Sequence, residues 1–456
     1  MFVALAFSCG DGVAQEQAGS SRRPDIVLFI ADDLTWLDCG AYGSPDVRTP
    51  NIDQLAKDGM RFDRMFTATA MCSPTRQQLY TGLFPVRNGA YPNHSEVKKG
   101  TKSIVHHLRR LGYRVALAGK KHIGPKESFP FEYLGGGKKL EGEQELGLSV
   151  GNIGEFMARD SQQPYCLVVA SHEPHSPWNT GDPGAYPPAE LRIPPHLIDT
   201  PETRAALSKY YAEITYMDRQ LGKCLELIDE HGEAQNTAVL WTSEQGSQLP
   251  FAKWTCYELG LHTGFVVRWP GRVEPGSVND AMTQYVDVVP TLLEAVGGEA
   301  PEGLDGRSFL AVLEGRKETH HDHVYGVHTT RGIKQGSLCY PVRSVRSARF
   351  KYIENLNAGK EAFSNLIAGD GRGSDVILSW RRKGGSAAAR AKAYRIRPPV
   401  ELYDLTDDPF EMHNLADEPD QRDRIKRLRT LLHAWMEQQG DNGNATEMLV
   451  RKHRSQ

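Results

Sequence analysis

The run Met71-Cys72-Ser73-Pro74-Thr75-Arg76-Gln77-Gln78-Leu79-Tyr80-Thr81-Gly82 sets a thiol, a proline, a guanidinium and a terminating glycine at fixed offsets. Pro74 is pre-set for the first turn of a helix, Arg76 to Tyr80 continue it, and Gly82 suits its end. The spacing therefore puts Cys72 at a helix N-terminus. Free backbone N–H groups and the positive end of the helix dipole favour an anion there, such as a thiolate, an alkoxide or a bound oxyanion. One turn on, Arg76 supplies a planar, permanently charged donor suited to a tetrahedral oxyanion. For an arbitrary cysteine, a buried structural thiol would be the better reading.

Other reactive types follow apolar runs. Asp32-Asp33 close the run Pro24 to Asp33 and can offer carboxylate oxygens to a hard divalent cation such as calcium. Glu244-Gln245 follow the run Ala238 to Thr242 and offer a second acid together with an amide. Gly119-Lys120-Lys121-His122 end the run Tyr113 to Ala118, and strand alternation puts Lys120 and His122 on one face. Ser171-His172-Glu173-Pro174-His175-Ser176-Pro177-Trp178 follow another such run, and Lys253 stands before Trp254. Taken singly, each has an ordinary explanation: adjacent acids cap loops, and a lysine before an aromatic residue is commonly a surface residue.

The elements that must position these groups alternate. Strand-like runs at Tyr113 to Ala118, Tyr165 to Ser171, Thr237 to Thr242 and Gly264 to Trp269 are separated by helical patterns at Lys102 to Leu111, Gly151 to Arg159 and Pro201 to His231. Arg48 to Gly59 reads as a helix with Thr49 as cap, Pro50 first and Gly59 as stop. The alternation predicts an α/β fold with a mostly parallel central sheet flanked by helices, its site at the C-terminal ends of the strands. After Gly315 short strand-like pieces (His323 to His328, Tyr340 to Ser347, Phe350 to Asn355, Val400 to Asp404) surround a basic, Gly- and Ala-rich insertion, Arg381 to Lys392. That insertion reads as a solvated loop or helix. A helix from Pro419 to about Gln438 follows. The expected organisation is a signal-like or disordered segment over 1–22, a large domain over 23–315, and a smaller α+β subdomain with an antiparallel sheet over 316–456.

Together these motifs resemble the formylglycine-dependent sulfatases. Cys72-x-Pro74-x-Arg76 with Leu79-x-Thr81-Gly82 matches the pattern whose cysteine a maturation enzyme oxidises to an aldehyde, and Gly119-Lys120-x-His122 and His172-x-Pro174 with His175 follow in family order. The resemblance runs from about Asp25 to Pro419 and implies an alkaline-phosphatase-like fold. It implies one calcium ion bound by Asp32, Asp33, Glu244, Gln245 and the matured Cys72. It also implies that a hydroxyl of the hydrated aldehyde attacks sulfur. Arg76 and the cation would acidify that hydroxyl, Lys120, Lys253 and the cation would offset charge on the sulfuryl oxygens, His175 would protonate the leaving group, and His122 would help the second hydroxyl expel sulfate. The family usually carries Asp-Asn where this chain has Glu244-Gln245, which leaves the ligand geometry open. The implied substrate is a sulfated carbohydrate attacked in exo fashion. Tyr91, Asn93, His94, His172, His328 and Arg331 are the candidate substrate-binding residues. Local wording such as Lys120-Lys121-His122-Ile123-Gly124-Pro125 is similar to the heparan N-sulfatase (sulfamidase) branch, so O- and N-sulfate both stay open.

Two rivals stand beside this reading: a phosphatase or phosphodiesterase of the same superfamily, and a non-catalytic protein that binds sulfated glycans. Composition is that of an ordinary globular protein, with 39% hydrophobic and 24% charged residues in 456. A formal net charge of -3 gives no global field favouring nucleic acid. No run after the first residues is long and apolar enough for a transmembrane segment. Met1 to Cys9 is apolar and is followed by small polar residues to Ser21, which resembles an export signal without its basic start. The expected location is periplasmic or extracellular, with a lipid anchor at Cys9 as a variant. Seven cysteines, scattered from Cys9 to Cys339 without a C-x-x-C pair, predict mostly free, buried thiols.

Overall fold

The Asp25–Ala31 strand, DIVLFIA, is buried along its whole length, as a central strand covered on both faces must be. A computed structural model of the chain describes residues 22–136, 147–231, 233–368 and 374–449. The strands of the first sheet are β1 (Asp25–Ala31), β2 (Met60–Phe66), β3 (Arg114–Gly119), β4 (Glu132–Tyr133), β5 (Tyr165–Ala170), β6 (Thr237–Ser243), β7 (His262–Arg268), β8 (Ser277–Asn279) and β9 (Thr283–Gln284). Their order is β4-β3-β5-β1-β6-β7-β2-β8, with β9 also on β2. The β4 to β6 half is parallel, and β7 runs antiparallel to both β6 and β2.

Alternation along β1 sorts the core into two layers. Val27, Phe29 and Ala31 join a cluster with Leu207, Tyr210, Ile214 and Leu221 of the long Pro201–Glu230 helix. Ile26, Leu28 and Ile30 face the opposite way, into a cluster with Ile104, Leu108, Val288 and Leu292. A second, four-stranded antiparallel sheet joins β10 (Val324–His328), β11 (Val342–Arg346), β12 (Phe350–Asn355) and β13 (Val400–Asp404). The Arg422–Gln439 helix packs on it through Leu428, Leu432 and Trp435.

Three local expectations change. The Pro50–Lys57 helix does not use the Thr49 side chain as its cap, because that hydroxyl is engaged by the Gly40 N–H and by Asp53. Its free N–H groups go instead to buried Asp218 on the long helix, which accepts from Asn51 (3.1 Å) and Ile52 (2.9 Å). Asp218→Ala would strand those amides in the interior, so a loss of about 2–4 kcal/mol is expected. Denaturant unfolding of the two proteins measures it. Gly59 matters for close approach: a Cβ there would sit 2.2 Å from the Val267 carbonyl oxygen. The basic insertion is two helices, Asp375–Lys383 and Gly385–Arg395, and it is not merely solvated. Trp380 is buried and donates to Thr203 Oγ1 (3.0 Å), while Ala387, Ala391 and Tyr394 join the same core as the long helix. The apolar face of this hairpin, masked in sequence by its arginines, fastens it to the large layer.

The strand β2 and the Val288–Ala295 helix lie outside the elements foreseen from sequence. All six cysteines among the described residues are free, five of them buried. No described helix is long and apolar enough to cross a membrane. The export-signal reading of residues 1–22 falls almost wholly outside the described residues, and so does the anchor at Cys9.

Candidate active site

Strand register brings the motifs to one edge of the large sheet. Ala31 of β1 lies opposite Ser243 of β6, so Asp32-Asp33 and Glu244-Gln245 leave neighbouring strands side by side. On the other flank Ile30 opposes Ala170 of β5, and Ala170 opposes Gly119 of β3. The N–H of Lys120 continues that ladder to the Ala170 carbonyl (2.8 Å), and the N–H of Asp32 reaches the Glu173 carbonyl (3.0 Å). Four strand ends thus deliver an acid pair, an acid with an amide, a lysine and the histidine loop to one place, as parallel sheets do.

The Cys72–Thr81 helix meets this edge with its N-terminus. All ten of its residues are buried, and Gly82 ends it in the left-handed region (φ 69°). Two buried glutamines hold its surroundings. Gln77 accepts from the Val97 N–H (3.2 Å) and donates to the Ser95 carbonyl (2.8 Å), and Gln78 accepts from the Ala68 N–H (3.1 Å). Arg76 is completely buried, donates to Glu244 Oε2 and lies 3.9 Å from Asp32.

Around Cys72 the charges interlock. Its Sγ lies 3.8 Å from Asp33 Oδ1 and accepts from Gln245 Nε2 at 3.5 Å. Gln245 Nε2 also donates to Asp33 Oδ1 (2.6 Å), Lys253 Nζ to Asp33 Oδ2 (2.5 Å), and Lys120 to Asp32. Burial opposes ionisation of the Cys72 thiol, but the charges of Lys120 and Lys253 and the neighbouring His122 and His175 imidazoles carry its pKa well below the ordinary value. The site is built to stabilise a negative atom at the residue 72 side chain.

The donor set fits a hard cation. Asp32 Oδ1, Glu244 Oε1 and Gln245 Oε1 are buried and have no hydrogen-bond partner, and Asp32, Asp33 and Cys72 each present an atom within 4.8 Å of the others. Oxygens from three carboxylates and an amide suit calcium better than a softer metal. Gln245 reaches Asp33 and Cys72 through Nε2, and Glu244 reaches Arg76 through Oε2, so the extra methylene of each keeps it beside the site.

His175 and His122 approach the thiol from the segments that follow the neighbouring strands β5 and β3. His175 Nδ1 donates to the Ser176 carbonyl (2.6 Å), which leaves Nε2 to face Asp33 at 3.7 Å. Burial and Lys253 would lower the His175 pKa; Asp33, Asp32 and a hydrogen bond to Cys72 outweigh them and raise it. His122 Nε2 lies 2.7 Å from His94 Nδ1, while its Nδ1 is buried and unpartnered. Five of the seven non-glycine residues with positive φ among the described residues (Asp33, His94, His122, Phe251 and Trp254) belong to this site or its Lys253 loop. Backbone conformations of this kind concentrate where geometry is over-determined by function.

Above the cluster opens a cleft of about 780 Å³ with Cys72, His122, His175 and Lys253 on its floor. Asn93 and His94, expected as substrate contacts, line it. His172 stands behind Lys120, where burial and then that lysine's charge push its pKa down to about 4, so it is a neutral neighbour of the site. The structure does not bring Tyr91, His328 or Arg331 to the cleft. Tyr91 donates to the Thr446 carbonyl (2.8 Å), and Arg331 reaches Met448. His328 is fully buried against Phe363, because it ends a strand of the smaller sheet facing that sheet's core. Sequence reasoning missed Trp178, Gln248, Lys209, Lys334 and Asp375, which line the outer cleft. Only Trp178 sits inside a recognised motif; Lys209 comes from the long helix, Asp375 from the 375–395 hairpin, Gln248 from the segment after β6 and Lys334 from the segment between β10 and β11.

Comparison with known proteins agrees with this geometry. The family profile "Sulfatase" matches residues 24–298, and "N-sulphoglucosamine sulphohydrolase, C-terminal" matches 246–363. An ulvan-active sulfatase of Formosa agariphila is 34% identical over 94% of this chain and 83% of its own length. Human N-sulphoglucosamine sulphohydrolase is 27% identical over 91% of this chain and 90% of its own. Among solved structures, a protein in complex with its substrate D-glucosamine-2-N,6-O-disulfate aligns with a TM-score of 0.72 at 21% identity, covering 93% of this chain and 99% of that one. That likeness shows a shared alkaline-phosphatase-like fold.

Proposed function

Because the chain belongs to the sulfatase family, we propose that it removes sulfate groups from a carbohydrate, using an aldehyde matured from Cys72 and a calcium-class cation held by Asp32, Asp33, Glu244 and Gln245. The observation that carries this reading is the convergence of those groups with Arg76, Lys120, Lys253 and two histidines on residue 72 at the floor of an open cleft. Here Sγ of Cys72 marks the position of the oxygens of the matured, hydrated side chain.

When bound, the cation supplies charge neutralisation and acidifies the hydroxyl that it touches. The protein's own residues do the remainder. Arg76 and the helix N-terminus hold the nucleophilic oxygen negative, and Lys120 and Lys253 offset charge that builds on the sulfuryl oxygens. His175, its Nδ1–H fixed on the Ser176 carbonyl, presents Nε2–H to the departing sugar oxygen or nitrogen. The unpartnered Nδ1 of His122 accepts a proton from the residue 72 side chain.

The relatives named above act on sulfated glycans, which supports a sugar substrate. The helices that line the outer cleft favour a chain end over a polymer running through, so the reading is exo-acting. Lys209 and Lys334, which also line the cleft, suit a further sulfate or carboxylate on the substrate. Lys334→Ala is expected to raise KM roughly 2–5-fold for a polysulfated disaccharide, the yield of one exposed ion pair, with kcat and the KM of a monosulfated sugar unchanged. A second reading, cleavage of an N-sulfate, is favoured by the match over 246–363 and by the human relative. Sulfate release from a panel of defined O-sulfated and N-sulfated saccharides, alongside a phosphomonoester, tests all of these readings. Release of phosphate without sulfate would favour the phosphatase rival, and binding without release would favour a glycan-binding protein. Export, which rests on Met1 to Ser21 alone, completes the proposal.

A further inference from the structure

Away from the cleft, Asp287, His320 and His321 each present a ligand atom within 4.8 Å of the other two. Asp287 ends the short turn after β9, and the two histidines lie just before β10. The Asp287 carboxylate is fully buried. Its Oδ1 accepts from the Arg307 N–H (3.0 Å) and its Oδ2 from the Gln284 N–H (2.8 Å). Oδ2 also faces both imidazoles, with His321 Nε2 at 2.8 Å and His320 Nε2 at 3.5 Å.

That arrangement leaves one ring unsatisfied. His320 has a side chain only 3% exposed, its Nε2 has no hydrogen-bond partner, and it points at the oxygen that His321 already occupies. A buried imidazole nitrogen without a partner is costly as a hydrogen-bonding group and well suited as a metal ligand. Nitrogen and oxygen ligands about 2.0–2.2 Å from a tetrahedral zinc lie roughly 3.3 Å apart. The observed 2.8 and 3.5 Å separations bracket that spacing. One carboxylate with two imidazoles selects zinc-class cations over calcium, whose oxygen ligands sit in the other cluster.

We propose that Asp287, His320 and His321 form a second metal site that takes a zinc-class divalent cation and pins the two sheets together. The pin would reinforce a link already present, in which the Gln284 side chain donates to the Tyr325 carbonyl of β10 (2.8 Å) and accepts from the Tyr325 N–H (3.3 Å). Such an ion stabilises the folded chain by mass action, because unfolding scatters ligands drawn from 287 and 320–321. The inference does not depend on the proposed activity, since it uses none of the cleft residues.

The test uses the full chain, stripped with a chelator and returned to excess calcium so that the oxygen-rich site is filled. Titration with cobalt(II) should then give one equivalent of bound metal with visible d–d absorption and no sulfur-to-cobalt charge-transfer band, displaced by zinc(II). Zinc should raise the melting temperature. Both responses should survive Cys72→Ser and vanish in His320→Ala and His321→Ala. His321→Gln, which keeps a hydrogen bond to Asp287 but is a poor ligand, decides the matter if the alanine variants do not fold. The proposal is overturned if cobalt gives no such band, if binding persists in His321→Gln, or if it disappears with Cys72→Ser.

Discussion

Cys72→Ser should reduce sulfate release by at least about 10⁴-fold, the scale on which loss of a covalent nucleophile is felt. The substitution exchanges sulfur for oxygen in a side chain that is 2% exposed, so the fold should melt as before. Serine keeps one hydroxyl at the helix N-terminus and can be sulfated there. It lacks the second hydroxyl by which a hydrated aldehyde expels the sulfate, so any sulfated enzyme would be trapped. Sulfate assays paired with a melting curve measure both parts. Activity within tenfold of the parent would mean that the chemistry does not run through residue 72.

Arg76→Ala should be the most damaging change to stability and should also slow the reaction. Arg76 is buried, paired with Glu244 and 3.9 Å from Asp32, so its loss leaves buried acids uncompensated. Breaking a buried pair by removing one partner costs about 3–5 kcal/mol. Removing a charged donor from the transition-state site costs about 10²–10³-fold in rate. Arg76→Lys should restore little, because one ammonium cannot span the space that the guanidinium fills between Glu244 Oε2 and the Lys120 carbonyl. Unfolding curves and kcat on the same preparations separate the two effects. A variant that melts like the parent would contradict the buried pair.

Sequence disclosed the site better than its walls. The strands β1, β3, β5 and β6 are continuous apolar runs, and polar residues directly after them had to emerge at one sheet edge; register then placed Asp32 beside Glu244. The Cys72 helix was legible because a proline opens it and a glycine closes it. What stayed hidden depends on partners far along the chain. Asp218 takes the amide protons of Asn51 and Ile52 that Thr49 seemed placed to hold, from 166 residues away in the case of Ile52. The 375–395 hairpin carries Asp375 and Val376 to the cleft, yet its arginines disguised the buried face of Trp380, Ala387 and Tyr394. His328 reads in sequence as a substrate-binding candidate, and only the packing of Phe363 shows that it belongs to the interior. At the one departure from the family's pattern, Glu244 reaches the Arg76 guanidinium through Oε2 and leaves Oε1 without a hydrogen-bond partner.

The most direct test of the central claim is peptide mass spectrometry across residue 72, performed on a preparation shown to release sulfate. The expected result is that the peptide containing Ser73-Pro74-Thr75-Arg76 carries an aldehyde in place of the Cys72 thiol, in a fraction that tracks specific activity. A fully active preparation in which residue 72 is a thiol throughout would contradict it.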